Sequence, residues 1–259
     1  MPCTKLHDYL WPESKRIYQL HASLCVHRRT LHLYRTVCFL LYYIPSTIYT
    51  WFIGEKVAFY DHFFFFTDWG QWTRMAYFGF ASWLGARTSI DPPPTTGFLW
   101  KFTHILFELA FSMEFIIIIL FWGVLAIPYF DSVKDTPEYY DVIIKSVLLH
   151  GVTPLTVWIE FILNYVEFHW SHCIIFTPLL NLLYDATNAL GVLVLGIKIY
   201  QPAIDWKSYT TAVLLIAGLV LGFVGFTIGV YVHKFKRKRF EKQQLIVYEE
   251  VNEVSGEAT

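Results

Sequence analysis

Two residues in this mostly apolar sequence have side chains that together could carry out covalent chemistry. His150 and Thr67 each lie within a long apolar stretch. An imidazole beside a hydroxyl can accept the hydroxyl proton as the oxygen attacks an ester or acyl carbon, so such a pair is the minimum for nucleophilic catalysis. A threonine in a membrane helix also commonly bonds a backbone carbonyl, and a single histidine is often a packing residue. Residue type alone therefore leaves structural roles open.

The stretch that carries His150 covers residues 139–168 and is long and apolar enough to cross a bilayer. It contains polar residues at spacings that an α-helix gathers into one narrow stripe. These residues are Ser146, His150, Thr153, Glu160 and Asn164. Because ionisable groups at membrane depth usually face the interior of a bundle, we expect this stripe to meet protein or a cavity and the opposite side to meet lipid.

The composition predicts an all-α, polytopic integral membrane protein with about six transmembrane helices and a polar intramembrane site. Of the 259 residues, 55% are hydrophobic and only 16% are charged. The predicted spans are residues 33–52, 57–84, 102–127, 139–168, 174–200 and 209–232. They form a transmembrane domain over residues 33–232, between an N-terminal arm (1–32) and a tail (233–259) that is first basic and then acidic.

Lysine and arginine are distributed unevenly between the two sides of these spans. The N-terminal arm, Arg87, Lys101 and the KFKRKR run at residues 234–239 all fall on one side, and the other side receives few basic residues. The positive-inside rule therefore predicts that both termini are cytoplasmic. We expect a multi-pass protein of the endoplasmic reticulum, another endomembrane or the plasma membrane.

The depth of each residue allows Thr67 to meet His150. At a rise of about 1.5 Å per residue, both lie roughly 15 Å from the outer end of their predicted spans. The two side chains could then meet near the middle of the membrane. The matching depth makes catalysis possible but does not by itself distinguish it from packing.

The sequence around both residues resembles a known family. HFFFFTDWGQW around Thr67 and LLHGVTPLTVWIEF around His150 look like the two signature stretches of the androgen-induced (FAR-17a-like) membrane proteins. The resemblance covers most of residues 33–232, including AFSMEFIIIILFWGVL and IYQPAIDW. It implies six helices and hydrolysis of fatty acid esters of hydroxy fatty acids, with Thr67 as the nucleophile and His150 as the base. The FTDWG form also looks like the rolling stone branch of the same superfamily, whose multipass members are linked to cell fusion.

Other polar residues on the predicted stripes are candidates to support this pair. Asp185 or Glu160 could hydrogen-bond the far nitrogen of His150 and fix its tautomer, and Asn164 or Asn188 could donate to a developing oxyanion. Each of them could instead only bond one helix to another. We expect a lipid-ester substrate within the bilayer, contact with membrane lipids, no nucleic acid, no metal and no organic cofactor. The sequence identifies no protein partner.

Two further pairs of polar residues invite a functional interpretation. His104 and Glu108 are spaced i, i+4 near the predicted cytoplasmic interface, which favours a snorkelling or capping role. His169 and His172 are spaced i, i+3 beside a predicted turn, so a metal site is conceivable. The sequence shows no acidic or thiolate neighbour in register with them, and the four cysteines show no metal-binding spacing.

The sequence thus predicts a threonine-dependent carboxylic ester hydrolase that acts on lipids. One alternative is a non-enzymatic multipass protein with a rolling-stone-like role in cell fusion or as a scaffold. Another is a small transporter that uses the same polar interior. Internal repeats would favour a transporter, and residues 33–127 and 139–232 show no convincing match to each other.

Overall fold

The computed structural model describes residues 11, 23, 26–53, 59–87, 97–197, 206 and 208–256. Within them the chain forms six long helices and no β-strand, apart from one isolated bridge between Ser23 and Asn164. The predicted all-α fold is confirmed. Most of the predicted N-terminal arm lies outside the described residues.

The helices are numbered here in chain order. Helix α1 is a continuous helical run of four segments: Arg28–Val37, Cys38–Tyr43, Ile44–Ile48 and Tyr49–Ile53. A short 3₁₀ helix, Phe59–Phe64, precedes α2. The remaining long helices are α2 (Phe66–Arg87), α3 (Phe98–Val133), α4 (Tyr139–Leu163), α5 (Trp170–Val194) and α6 (Tyr209–Gly256).

Among the described residues, four helices are long and apolar enough to cross a membrane: α3, α4, α5 and the Tyr209–Arg239 part of α6. Their outer surfaces carry large apolar side chains, such as Ile127, which is 74% exposed, and Leu182, which is 66% exposed. Such surfaces suit contact with lipid and not with water. The chain is therefore built as an integral membrane protein.

Three helices contain a π-helical turn just before a proline. These turns are Cys38–Tyr43 before Pro45, Phe121–Leu125 before Pro128 and Leu148–Val152 before Pro154. A proline has no amide hydrogen, and its ring collides with the carbonyl four residues earlier, so regular α-helical bonding cannot continue. The wider π turn is one way in which a helix accommodates this break. It also rotates the residues that follow relative to those before it.

The second helix begins later than the sequence predicted. The predicted span started at residue 57, but the α-helix starts at Phe66, after the 3₁₀ helix. At the junction, Nδ1 of buried His62 lies 2.9 Å from Oδ2 of buried Asp68. This hydrogen bond links the 3₁₀ helix to the first turn of α2 and stabilises the break, which a hydropathy pattern cannot detect.

Helices α5 and α6 also differ from their predicted bounds. Helix α5 begins at Trp170 and not at residue 174, because the carbonyl of His169 already accepts helical hydrogen bonds from the amides of His172 (2.9 Å) and Cys173 (3.2 Å). The sequence WSHCIIF after the fourth predicted span suggests a short turn at the interface, and this prediction is therefore wrong. Helix α6 continues beyond residue 232, the predicted end of the transmembrane domain, to Gly256.

Helix α3 is central, and it packs against both α2 and α6. Two glycines of α6 permit close approach, Gly225 to α3 and Gly229 to the connection between α4 and α5. A Cβ atom at Gly225 would lie 2.7 Å from the ring of Phe115, and one at Gly229 would lie 2.5 Å from the ring of Phe168. Small residues at helix contacts are the usual means of close packing in membranes, where dispersion contacts replace the hydrophobic drive.

Candidate functional site

An apolar cavity of about 80 Å³ lies between α2, α3, α5 and α6. Three of its wall residues, Thr67, Asn181 and Asp185, are polar, and Thr67 and Asp185 are candidate site residues from the sequence. The rest of the wall is mostly aliphatic or aromatic: Phe66, Ile116, Ile117, Leu120, Phe121, Val124, Leu125, Tyr184, Leu214, Leu215 and Gly218. Val124 is also 45% exposed on the outer surface of α3, so the cavity borders the lipid side of the bundle.

Thr67 lies in the first turn of α2. The preceding residue, Phe66, is buried and packs edge-on against Tyr184 of α5, with ring centroids 4.8 Å apart. This packing positions the start of α2 on the cavity wall. The aligned peptide dipoles of a helix give its N-terminus a partial positive charge, so negative charge that develops on an oxygen near Thr67 is favoured.

Asp185 and Asn181 lie one turn apart on α5 and contribute the other polar groups of this wall. The Asn181 amide nitrogen donates to the carbonyl of Thr177 at 2.8 Å. Asp185 is only half-buried, so its carboxylate keeps some access to the surroundings. The cavity thus combines a hydroxyl, an amide and a carboxylate in an otherwise apolar space.

His150 is buried beside this cavity and is not one of its wall residues. Its imidazole stacks on the ring of Phe121, with centroids 3.5 Å apart and an interplanar angle of 10°. Phe121 is itself a wall residue, so it connects His150 to the cavity that holds Thr67. Within the described part of the chain, Nδ1 of His150 has no hydrogen-bond partner.

The backbone around His150 is held by bonds from neighbouring helices. The His150 carbonyl accepts a hydrogen bond from Nε1 of Trp122 on α3 at 2.9 Å. The amide that would normally bond this carbonyl belongs to residue 154, which is a proline and has none. The Leu148 carbonyl accepts from the hydroxyl of Tyr42 on α1 at 2.7 Å. The Leu148 carbonyl also accepts the backbone amide of Thr153 in the π turn, so the Leu148 carbonyl links α4 to α1 and the His150 carbonyl links α4 to α3.

Glu160, a predicted partner for His150, is paired with a different residue. Its Oε1 accepts hydrogen bonds from Nη2 of Arg35 at 2.6 Å and from the hydroxyl of Tyr77 at 2.7 Å. Asn164, proposed as an oxyanion donor, also donates to this oxygen, at 3.0 Å. All of these residues are buried, and a buried guanidinium requires an opposite charge. The prediction that Glu160 could orient His150 is therefore corrected: it pairs α4 with α1.

Asn188 supports the cavity from behind its wall. Its side chain donates to the Tyr184 hydroxyl at 3.1 Å and accepts from Nε1 of Trp206 at 2.9 Å. Tyr184 is a wall residue, whereas Asn188 is not. Of the four predicted supporting residues, only Asp185 shares the cavity with Thr67, and none bonds Nδ1 of His150.

A second buried ion pair connects α2 to α3, where Nη1 of Arg74 donates to Oε1 of Glu114. Both side chains are fully buried. Arg74, Glu114 and Arg35 are not among the candidate site residues predicted from the sequence. The available signal was that each is a single charge inside an otherwise apolar run.

A separate cluster of histidines and acids lies toward the N-terminal end of α3. Oε2 of Glu108 is 2.5 Å from Nδ1 of His172, and Oε1 of Glu108 is 3.5 Å from Nε2 of His104. The three residues are buried, so the predicted snorkelling role of His104 and Glu108 is wrong. Glu108 is the acidic neighbour of His172. Spacing along the sequence could not reveal this contact, because the two residues belong to different helices.

No family model matches this chain, and no curated protein or solved structure matches it. The function is therefore argued from the geometry of the site.

Proposed function

We propose that the chain is an intramembrane lipid-ester hydrolase in which Thr67 is the nucleophile and His150 is the base. One observation carries the proposal: Thr67 lies on the wall of an apolar cavity whose wall residue Phe121 stacks on His150. A hydroxyl in an apolar cavity at the lipid side suits a substrate that arrives from the bilayer. The resemblance of the HFFFFTDWGQW and LLHGVTPLTVWIEF stretches to the androgen-induced family supports the same assignment.

The reaction follows the usual course of acyl transfer. Oγ1 of Thr67 bonds to the ester carbonyl carbon while its proton passes to His150, and the proton then goes to the departing alkoxide. Water hydrolyses the acyl-threonine in a second step and regenerates the hydroxyl. The N-terminal dipole of α2 stabilises the negative charge on the tetrahedral intermediate.

Phe121 acts as a gate in this mechanism. In the resting arrangement its ring covers the imidazole of His150. Rotation of the Phe121 side chain opens a path between His150 and Thr67, and substrate that enters the cavity favours the rotated state. A catalytic arrangement that is completed only when substrate binds is common among enzymes with a closed resting site.

The cavity also limits the class of substrate. Its volume of about 80 Å³ admits an ester group and adjoining methylenes, not a whole acyl chain. The chains must therefore extend past Val124 into the surrounding lipid. An ester in the middle of long chains, as in fatty acid esters of hydroxy fatty acids, fits a reactive group inside the membrane better than an ester at a polar headgroup does.

The proposal includes six membrane spans. Helix α1 extends over residues 28–53 and α2 over Phe66–Arg87, lengths of roughly 39 and 33 Å that suffice for a hydrocarbon core of about 30 Å. Their buried charges are compensated within the bundle, Arg35 by Glu160 and Arg74 by Glu114. Two polar helices with paired charges and four apolar helices together form the bundle.

Hydrolysis by the purified protein tests the assignment. We expect wild-type protein to release fatty acid from a branched fatty-acid ester, Thr67→Ala and His150→Ala to abolish release, and the double variant to be hardly worse than either single one. Thr67→Ser should retain partial activity because a hydroxyl remains. Thr73→Ala is the matched control, since Thr73 lies on the same helix and its hydroxyl only bonds the Trp69 carbonyl at 2.8 Å. If Thr67→Ala hydrolyses the ester at the wild-type rate, the proposed role of Thr67 as nucleophile is wrong.

A second candidate function is a non-enzymatic, rolling-stone-like role in cell fusion or as a scaffold. The observation that favours it is that His150 is not itself a wall residue of the cavity that holds Thr67. A fluorophosphonate probe separates the two functions. Labelling at Thr67 that disappears in His150→Ala supports the hydrolase, and the absence of labelling in folded protein supports the non-enzymatic role.

A further inference from the structure

The cluster of His104, Glu108 and His172 has the geometry of a metal-binding site. One ligand atom from each of the three residues lies within 4.8 Å of the others. His104 and Glu108 are one turn apart on α3, and His172 lies in the first turn of α5. Each is at most 4% exposed. The three side chains therefore converge from two helices on one enclosed point.

The donor set selects the kind of ion. Two imidazole nitrogens and one carboxylate oxygen are a common ligand set of Zn²⁺, which binds such atoms at about 2.0–2.2 Å. Ligands at that distance in a tetrahedral arrangement are roughly 3.3 Å apart. Oε2 of Glu108 is 2.5 Å from Nδ1 of His172, and the other carboxylate oxygen, Oε1, is 3.5 Å from Nε2 of His104. Each imidazole nitrogen therefore lies within about 1 Å of this spacing from one oxygen of the carboxylate.

A fourth oxygen lies next to these ligands. The backbone carbonyl of Glu167, in the short connection between α4 and α5, is 2.6 Å from Nε2 of His104. A cation bound at Nε2 would replace the proton of this hydrogen bond, and the carbonyl would then complete the coordination. The backbone amide of His169 donates to Oε1 of Glu108 at 2.8 Å and orients the carboxylate.

The side chain of Trp11 covers the cluster. The ring of Trp11 packs edge-on against His172, with centroids 4.6 Å apart, and against His104 at 5.4 Å. Trp11 is 7% exposed, so it is itself part of the packed structure. A site with buried ligands and an aromatic cover leaves little room for substrate, which is typical of a structural metal site and not of a catalytic one.

We propose that His104, Glu108 and His172 bind one Zn²⁺ ion that fastens α3 to α5 beneath the ring of Trp11. This departs from the expectation of a metal-free protein. The site is separate from the hydrolase cavity, because Glu108 precedes Phe121 by 13 residues on α3, which is roughly 20 Å along the helix.

Metal binding by the full-length chain in detergent is the test, with a purification tag that contains no histidine. After removal of metal with a chelator, we expect Zn²⁺ titrated in a calorimeter to bind with a stoichiometry of one and to raise the melting temperature. Co²⁺ in place of Zn²⁺ should give the visible absorption of a tetrahedral site.

Variants separate this site from incidental binding. Loss of a residue that hydrogen-bonds a metal ligand typically weakens metal binding ~10–100-fold. Loss of a ligand itself should have a larger effect, so Glu108→Gln and His104→Gln should each raise the Kd for Zn²⁺ by more than ~100-fold. His169→Asn is the matched control, because the His169 ring contacts the cluster but only its backbone amide bonds Glu108. Its affinity should stay close to that of the wild type.

Two results would overturn the proposal. The first is the absence of stoichiometric Zn²⁺ or Co²⁺ binding by folded wild-type protein. In that case the cluster would be only a hydrogen-bonded Glu108–His172 contact between α3 and α5. The second is binding by Glu108→Gln as tight as that of the wild type, which would place the ion elsewhere. If Glu108→Gln fails to fold, His104→Gln and the wild-type Co²⁺ spectrum decide the question.

Discussion

The imidazole of His150 lies flat on the ring of Phe121, with an interplanar angle of 10° and ring centroids 3.5 Å apart. Each residue belongs to a π-helical turn, Leu148–Val152 on α4 and Phe121–Leu125 on α3. The two irregular turns therefore meet at this stack. Because π turns are frequent at functional sites, the contact between these two turns and the adjacent cavity both support a functional site at His150 and Phe121.

Changing the size of the Phe121 side chain should alter turnover. Phe121→Leu shortens the group that separates His150 from Thr67, so we expect kcat for ester hydrolysis to rise several-fold, while loss of the ring stack costs about 1 kcal/mol of stability. Phe121→Trp should lower kcat. Ile119→Ala, at a lipid-facing position of the same helix that is 45% exposed, is the control. A lower kcat for Phe121→Leu would mean that the ring aligns His150 and does not block it.

Replacement of Pro154 should affect catalysis without loss of stability. Pro154→Ala supplies an amide that can bond the His150 carbonyl, in competition with Trp122, whose Nε1 now donates to it at 2.9 Å. We expect the π turn to tighten, the melting temperature to hold or rise, and turnover to fall by at least about tenfold, as misplacement of a catalytic group does. Pro178→Ala, in the interior of α5, should leave turnover unchanged. Equal effects of both substitutions would show that the π turn has no special role.

The Arg35–Glu160 pair should be costly to break and less costly to replace. Arg35→Met leaves a buried carboxylate without its cation, so we expect a loss of about 3–5 kcal/mol in the free energy of unfolding. The double variant Arg35→Met/Glu160→Leu removes both charges and should be more stable than Arg35→Met alone. Thermal unfolding in detergent micelles measures both, with Glu138→Gln at an exposed position as the control. A double variant as unstable as the single one would mean that neutralising the partner does not compensate.

Six spans with both termini cytoplasmic make a prediction about topology. An epitope tag on either terminus should be protected from external protease in sealed cells, and both tags should become accessible when the plasma membrane is permeabilised. The unequal distribution of lysine and arginine along the chain predicts this orientation. Protection of only one tag would require an odd number of spans and would exclude α1 or α2 as a membrane helix.

The sequence predicted which faces of the helices are buried better than which residues touch. Ser146, His150, Thr153, Glu160 and Asn164 were grouped on one stripe, and all are buried. Helical periodicity is a local property, so it can be read from one segment. The partner of Glu160 is Arg35, 125 residues away, and that contact depends on how α1 packs against α4. No spacing along the chain contains this information.

The His104, Glu108 and His172 cluster was divided in the sequence analysis for the same reason. Each pair was interpreted alone, as an interface pair on α3 and as a histidine pair near a turn. The structure joins them because α5 begins at Trp170, which brings His172 into the first turn of a helix that faces α3. The π turns were also unforeseen, although the prolines that follow three of them were visible signals.

The Arg74–Glu114 pair has a consequence for the order in which the protein is made. Arg74 is near the middle of α2, and its counter-charge is synthesised 40 residues later on α3. An arginine at mid-helix opposes insertion into the bilayer by about 2.5–3.5 kcal/mol or more. As a proposed membrane span, α2 is therefore expected to leave the translocon together with α3, whose Glu114 supplies the opposite charge.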